Sequence, residues 1–193
     1  GRSPDCAIGD FTSDGKLDLL VLRDGKKMRW YENLGGDRPQ WKESPTFATS
    51  KSNWKASSTG DFDGDGAVDI SVSDKSTKIS SWLENKKGDG SEWIEHEIHD
   101  GGRYDESEAA DFNGDGKDDI VGNYYNGSGV MLCLAPSQKN GDWTVTQIGD
   151  GPVGLDIYDM DEDGDLDILA NNAWFENEGK LTSPNWKKYV IDS

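Results

Sequence analysis

The sequence predicts an all-β fold made of four copies of one four-stranded antiparallel unit. Three observations carry this prediction. An acidic ten-residue segment recurs at a near-constant spacing, each copy runs into a β-branched or leucine-rich stretch, and tryptophans recur at matching places behind it. The acidic segments are DFTSDGKLDL from Asp10, DFDGDGAVDI from Asp61, DFNGDGKDDI from Asp111 and DMDEDGDLDI from Asp159. Their starts lie 51, 50 and 48 residues apart, a period typical of solenoids, propellers and arrays.

Each element follows from local pattern. After the acidic loops come LDLLVL (17–22), VDISVS (68–73), DDIVGN (118–123) and LDILAN (166–171), which have strand composition and, in the second case, strict alternation. The acidic loop therefore joins a first strand to a second. A third strand carries RWYENLGG (29–36), SWLENKKG (81–88) and AWFENEGK (173–180), whose Asn and Gly suit a hairpin turn; the third repeat departs with MLCLAPSQ. A fourth strand begins at Trp41, Trp93, Trp143 and Trp186. In WIEHEI (93–98), Ile94, His96 and Ile98 share one face, which predicts a core position for His96. The units are approximately 1–51, 52–101, 102–151 and 152–193 of a single repeat domain. Units of this size are too small to fold alone, and four-stranded units repeated around an axis make a β-propeller, one blade per unit. A compact ring of four blades is the expected arrangement. The alternative is an arc of a larger propeller or an assembly between chains, whose open faces would invite self-association.

Only 33% of residues are hydrophobic, but eight Trp, six Tyr and five Phe concentrate that content into large rings suited to a sheet core. Lys and Arg number 20 against 38 Asp and Glu, a net charge of −18. That balance excludes nucleic acid and anionic membrane surfaces, which need basic patches, and favours bound cations. No apolar run reaches the length of a membrane span, so membrane insertion is not expected. Cys6 and Cys133 occupy unrelated places in their repeats, and no disulfide between them is expected.

Aligned on their first aspartate, the loops carry Asp10, Asp61, Asp111 and Asp159 at position one and Thr12, Asp63, Asn113 and Asp161 at position three. Position five holds Asp14, Asp65, Asp115 and Asp163, position six Gly15, Gly66, Gly116 and Gly164, and position nine Asp18, Asp69, Asp119 and Asp167. Oxygen donors at one, three and five with glycine at six form the first half of an EF-hand-like calcium loop. Here closure falls at position nine and the flanks are strands. The donors predict strong Ca2+ sites at the Asp61, Asp159 and Asp111 loops and a weaker fourth at Asp10, where Thr12 and Ser13 replace better ligands. With this pattern in place, GDFDGDGAVDI and ADFNGDGKDDI resemble the FG-GAP/VCBS repeats, the calcium-loop blades of integrin α-subunit propellers, fungal propeller lectins and many secreted bacterial proteins. The resemblance covers all four units. It implies calcium in the first hairpin of each matching blade and an extracellular or cell-surface setting.

The opposite end of the blades collects Ser3, Trp54, Tyr104 and Pro152, seven residues before each loop, with Lys55, Arg103, Asp105 and Asp156 beside them. The second-to-third connections add Arg23, Asp74, Tyr124, Tyr125 and Asn126. Rings beside polar groups suit a sugar, so Trp54, Lys55, Arg103, Tyr104 and Tyr125 are candidate ligand residues; the competing role for Trp54 and Tyr104 is packing between blades. Asn126-Gly127-Ser128 has the form of a glycosylation sequon. The leading functional reading is a calcium-stabilised extracellular binding or adhesion module for a glycan or an extracellular protein. One alternative is a structural subunit of an extracellular assembly or fibre. The other is a polysaccharide lyase, resting on HDGGRYDE (99–106) with His99, Arg103 and Tyr104. No Ser-His-Asp, zinc or phosphate-binding pattern supports an enzyme.

Overall fold

A computed structural model of the chain describes residues 5–22, 28–44, 47, 53–99, 102–124, 129–139, 141–150, 154–179 and 186–191. It contains sixteen strands in four antiparallel sheets of four, each wound in sequence order. Blade one is β1 (Asp5–Gly9), β2 (Asp18–Leu22), β3 (Arg29–Asn33) and β4 (Trp41–Glu43). Blade two is β5 (Trp54–Gly60), β6 (Asp69–Asp74), β7 (Ser80–Asn85) and β8 (Trp93–His99). Blade three is β9 (Tyr104–Ala110), β10 (Asp119–Tyr124), β11 (Gly129–Leu134) and β12 (Thr144–Gly149). Blade four is β13 (Leu155–Tyr158), β14 (Asp167–Ala170), β15 (Ala173–Glu176) and β16 (Lys187–Val190). Each sheet has the predicted four-stranded antiparallel form, including the third, where the Trp-x-Glu-Asn pattern is absent.

The first hairpin keeps one register throughout. Gly9 pairs with Asp18, Gly60 with Asp69, Ala110 with Asp119 and Tyr158 with Asp167. Each second strand thus begins at the position-nine aspartate, one residue later than the predicted 17–22, 68–73, 118–123 and 166–171.

Alternation along the strands gives every interior blade two apolar faces, and these meet in three core clusters. Phe11, Leu20, Trp30, Ile70 and Leu83 join blades one and two. Phe62, Trp82, Tyr104 and Ile120 join two and three. Phe112, Val121, Ile168 and Phe175 join three and four. One contact recurs at every joint. The aromatic ring at loop position two meets the fourth-strand tryptophan of the next blade edge-on: Phe11 with Trp93 at 5.9 Å, Phe62 with Trp143 at 6.0 Å and Phe112 with Trp186 at 6.1 Å. Edge-to-face rings at this separation are favourable beyond the area they bury.

The first strands touch in the order β1, β5, β9, β13, while β13 and β1 make no comparable contact among the described residues. Blade four instead exposes Tyr158 and Met160, and blade one exposes Ile8, Leu17 and Trp41. The described residues thus form the propeller-like arrangement of four four-stranded blades that the sequence predicts, with these side chains exposed on the first and last blades. Position two of blade four is Met160 rather than a ring, and among the described residues the edge-on contact is made at the three internal joints.

His96 is also not a core residue. It is half-buried, stacked on Trp82 with centroids 4.5 Å apart, and its Nε2 lies 2.7 Å from Glu84 Oε2. Ile94 beside it is exposed and only Ile98 is buried, because this strand lies at the outer edge of its sheet. Cys133 is a buried thiol 3.3 Å from the Tyr104 hydroxyl and is not joined to Cys6.

Replacing Phe62 with Ala removes a buried ring that touches both Trp82 and Trp143 and should cost about 3–5 kcal/mol in urea unfolding. Trp41→Ala, at a half-exposed ring of the same repeat position as Trp143, should cost less than about 1 kcal/mol.

Candidate metal centres

The acidic loops share one geometry, which begins with the backbone. The position-six glycines have φ of 83°, 87°, 86° and 101° (Gly15, Gly66, Gly116, Gly164), and position four is also left-handed at Ser13, Gly64, Gly114 and Glu162. Two left-handed residues curl the chain so that its N–H groups point inward, and glycine meets that demand without strain. Ser13 and Glu162 meet it at a cost of about 1 kcal/mol each.

The position-one aspartate collects those N–H groups. One oxygen accepts from position five at 3.1, 3.1, 3.2 and 3.2 Å, and the other from the position-six glycine at 2.7, 2.8, 2.9 and 3.0 Å, in loops one to four. The position-five carboxylate accepts the N–H of position seven in every loop.

The position-nine aspartate is buried in all four blades and has a task the sequence did not reveal. Its Oδ2 accepts the position-two N–H: Phe11 at 3.0 Å, Phe62 at 3.1 Å, Phe112 at 3.1 Å and Met160 at 2.9 Å. Its Oδ1 accepts the N–H at the end of the third strand: Asn33 at 2.8 Å, Asn85 at 2.8 Å, Ala135 at 2.7 Å and Asn177 at 2.8 Å. A single carboxylate thereby ties loop, second strand and third strand together. Because the third-strand donor is a backbone N–H, Ala135 serves as well as Asn, which explains how repeat three keeps its fold without the motif.

Two loops gather three carboxylates within 4.8 Å of one another: Asp61, Asp63 and Asp69 in blade two, and Asp159, Asp161 and Asp167 in blade four. These groups could hold a metal. They are the two loops with Asp at positions one, three, five and nine. In the Asp111 loop Asn113 stands at position three and its Oδ1 accepts the Asp115 N–H at 2.9 Å, and in the Asp10 loop the Lys16 ammonium sits 2.5 Å from Asp14 Oδ2.

A third grouping, Asp63, Asp65 and Glu84, was not foreseen. Lys139 of blade three reaches across to it, pairing with Asp63 and lying 3.5 Å from Asp65 Oδ2 and 2.8 Å from Glu84 Oε1. Burial opposes ionisation of Glu84, but Lys139, Lys86 and His96 outweigh it and hold its carboxyl down at about 2. Burial instead dominates at position nine, pushing Asp69 up to about 8 and Asp119 up to about 7 against the hydrogen bonds they accept. No periodic signal points to Lys139, and although Glu84 is the Glu of the recurring Trp-x-Glu-Asn pattern, the pattern does not reveal a partner that lies on another blade.

Among the described candidate ligand residues, the two rings are not presented to a sugar. Trp54 and Tyr104 are buried in two different core clusters, so neither offers a ring face. Tyr104 meets Tyr124 edge-on at 4.9 Å. Lys55 and Arg103 both turn to Asp105, at 3.2 and 3.5 Å. Tyr125, Ser3, Pro152, Arg23 and the sequon at Asn126 lie outside the described residues. Of the lyase grouping, the Tyr104 hydroxyl is buried against Cys133 and reaches no substrate.

Two predictions follow from the clamp. Asp69→Ala strands the N–H groups of Phe62 and Asn85 and should cost about 2–4 kcal/mol in urea unfolding, whereas Asp10→Ala in the exposed first loop should cost less. In chelator, Asp69 and Asp119 should make stability fall as pH rises. Their folded pKa values lie above the unfolded 3.8, so the folded chain holds protons that the unfolded chain has released. Stability from this source is full below about 4 and lost by about 8, as unfolding midpoints at pH 5 and pH 8 would report.

Protein linkin of Caenorhabditis elegans is 29% identical to this chain over 214 residues, an alignment that spans 96% of the chain and 34% of linkin. The chain thus spans about a third of that relative's length. Residues 10–72 and 61–122 match the model of the FG-GAP-like repeat. The two matches start on the first and second acidic loops and reach to the end of β10's apolar run, more than half of the sequence, and the chain belongs to the FG-GAP-like repeat family.

Proposed function

We propose that this chain is a calcium-stabilised extracellular binding and adhesion module that engages protein partners. The observation that carries the reading is the convergence of three carboxylates in each of the Asp61 and Asp159 loops. Their donors are all hard oxygens, the preference of Ca2+, and modules in calcium-rich surroundings work with modest affinities of roughly 10⁻⁴–10⁻³ M. Asp61, Asp63, Asp65 and Asp69 would hold one ion, Asp159, Asp161, Asp163 and Asp167 a second, and Asp111, Asn113, Asp115 and Asp119 a third. Asp10, Asp14 and Asp18 form the weakest set, since Lys16 already neutralises Asp14. A bound cation would offset the repulsion among clustered carboxylates and pin each first hairpin.

Protein is the better partner class than glycan because the rings best suited to stacking on a sugar are buried. Repeat arrays present broad surfaces rather than one deep cleft. An adhesion-type role also fits the family and the net charge of −18, which disfavours anionic surfaces.

Thermal unfolding in millimolar calcium against excess chelator tests the proposal. At about 10 mM calcium, ten- to a hundredfold over such affinities, each site adds about 1.4–2.7 kcal/mol, so the melting temperature should rise clearly with calcium. The Asp61→Asn, Asp159→Asn double variant should lose most of that rise. Identical melting in both buffers, with no ion found by elemental analysis, would overturn the reading.

A further inference from the structure

We infer that Lys139 of blade three is a built-in counter-ion seated in the cation site of blade two, so that calcium entering that loop displaces its ammonium and releases an ionic latch between the two blades. The inference rests on the calcium reading above. It adds to that reading an order of filling among the loops, set by a residue that lies outside every acidic loop.

Lys139 comes from the connection between β11 and β12, where the third repeat abandons the Trp-x-Glu-Asn pattern for MLCLAPSQ. That connection reaches the acidic loop of the preceding blade. The same relation holds one joint earlier, where the Ser13 hydroxyl of loop one donates to the Gly88 carbonyl, in the connection between β7 and β8, at 2.8 Å. In blade three the connection is held by a turn, with the Gly141 N–H donating to the Gln138 carbonyl at 2.8 Å, and by Lys117, whose Nζ donates to the Pro136 carbonyl. Blade three also grips the start of the blade-two loop. The Asp118 N–H donates to the Asp61 carbonyl, and the Asp118 carboxylate accepts the Asp61 N–H, each at 2.8 Å.

Asp63 is the shared residue. It belongs to the group with Asp61 and Asp69 and to the group with Asp65 and Glu84. Its side chain is buried, and both of its oxygens are engaged: Oδ1 accepts the Asp65 N–H at 3.1 Å and Oδ2 pairs with Lys139. The same ammonium lies 3.5 Å from Asp65 Oδ2 and 2.8 Å from Glu84 Oε1. Glu84 is the buried anchor of this arrangement, held in turn by Lys86 at 2.9 Å and His96 at 2.7 Å. A divalent ion in the blade-two loop draws on the Asp63 and Asp65 oxygens that the ammonium already holds. Two cations a few ångströms apart repel, so the ion and the ammonium exclude each other.

Blade four has the same four aspartates without the lysine. Glu176 stands where blade two has Glu84, but its partners are Lys187 at 3.2 Å and the Tyr189 hydroxyl at 2.7 Å, both from its own sheet. Among the described residues no ammonium or guanidinium pairs with Asp159, Asp161, Asp163 or Asp167. Equal donor sets thus meet unequal competition, and blade four fills at lower calcium than blade two. Linkage makes the effect reciprocal: whatever Lys139 costs calcium at this loop, calcium costs the Lys139 latch. The joint between blades two and three therefore draws on Lys139 when calcium is scarce and not when it is plentiful.

Calorimetric titration of calcium into the chelator-stripped chain tests this with three variants. Lys139→Met keeps most of the apolar stem and removes the charge, Lys139→Gln is a second uncharged version, and Lys139→Arg keeps the charge. Lys139 is partly exposed on a connection, and circular dichroism checks that each variant folds. Either uncharged variant should tighten one class of site by at least about fivefold, and Lys139→Arg should restore the weaker binding. The gain should vanish when Asp61→Asn is added to Lys139→Met. Melting supplies the reciprocal readout: Lys139→Met should melt below the unaltered chain in chelator, and the gap should close in calcium. Superimposable isotherms for the unaltered chain and the folded uncharged variants would overturn the inference, as would a gain that survives Asp61→Asn. Both of those results leave the calcium reading standing, because calcium is still bound. No calcium uptake by the unaltered chain or by Lys139→Met would overturn that reading and this inference together.

Discussion

The structure depends on one buried carboxylate repeated four times. Asp18, Asp69, Asp119 and Asp167 each accept two backbone N–H groups, one from the acidic loop and one from the end of the third strand. Charge-assisted acceptors of this kind are among the stronger hydrogen bonds a protein makes. Since position-two N–H is one of the donors, the carboxylate also fixes the ring that crosses to the next blade. Local turn geometry and inter-blade packing are therefore not separable: the same residue that closes a hairpin aims Phe11, Phe62 or Phe112 at its neighbour.

That arrangement carries an electrostatic cost. Carboxylates buried under a net charge of −18 resist ionisation, as the raised Asp69 and Asp119 show. The chain offsets the cost where it can. Lys139 crosses from blade three to the Asp63, Asp65 and Glu84 group, Lys16 sits on Asp14, and inward N–H groups surround every position-one aspartate. Carboxylates are most numerous where Asp fills positions one, three, five and nine together, which is also where three oxygens converge.

The blades and loops were legible because their signals are local. Two-residue alternation, glycine at a left-handed turn and a fixed repeat need no knowledge of the rest of the chain. The second role of position nine was hidden because an anionic oxygen satisfies an N–H group or a cation equally well, and spacing alone does not distinguish them. Trp54 and Tyr104 were ambiguous for a different reason. A ring at a strand start is a platform or a core residue depending on the adjacent sheet, and that sheet lies a full repeat away. His96 followed its strand pattern but sits on an edge strand, where Glu84 and Trp82 claim it instead of the core.

The fourth strands differ in a way that bears on mechanical load. Strand β8 runs for seven residues, and its tryptophan is wedged under Phe11. Strand β4 has three residues, all exposed, and its tryptophan is half-exposed. When a tethered module is pulled, the strand with the fewest ladder bonds and no overlying ring peels first. Tension on this array would therefore be released by fraying at β4, leaving the three ring-locked joints intact behind it.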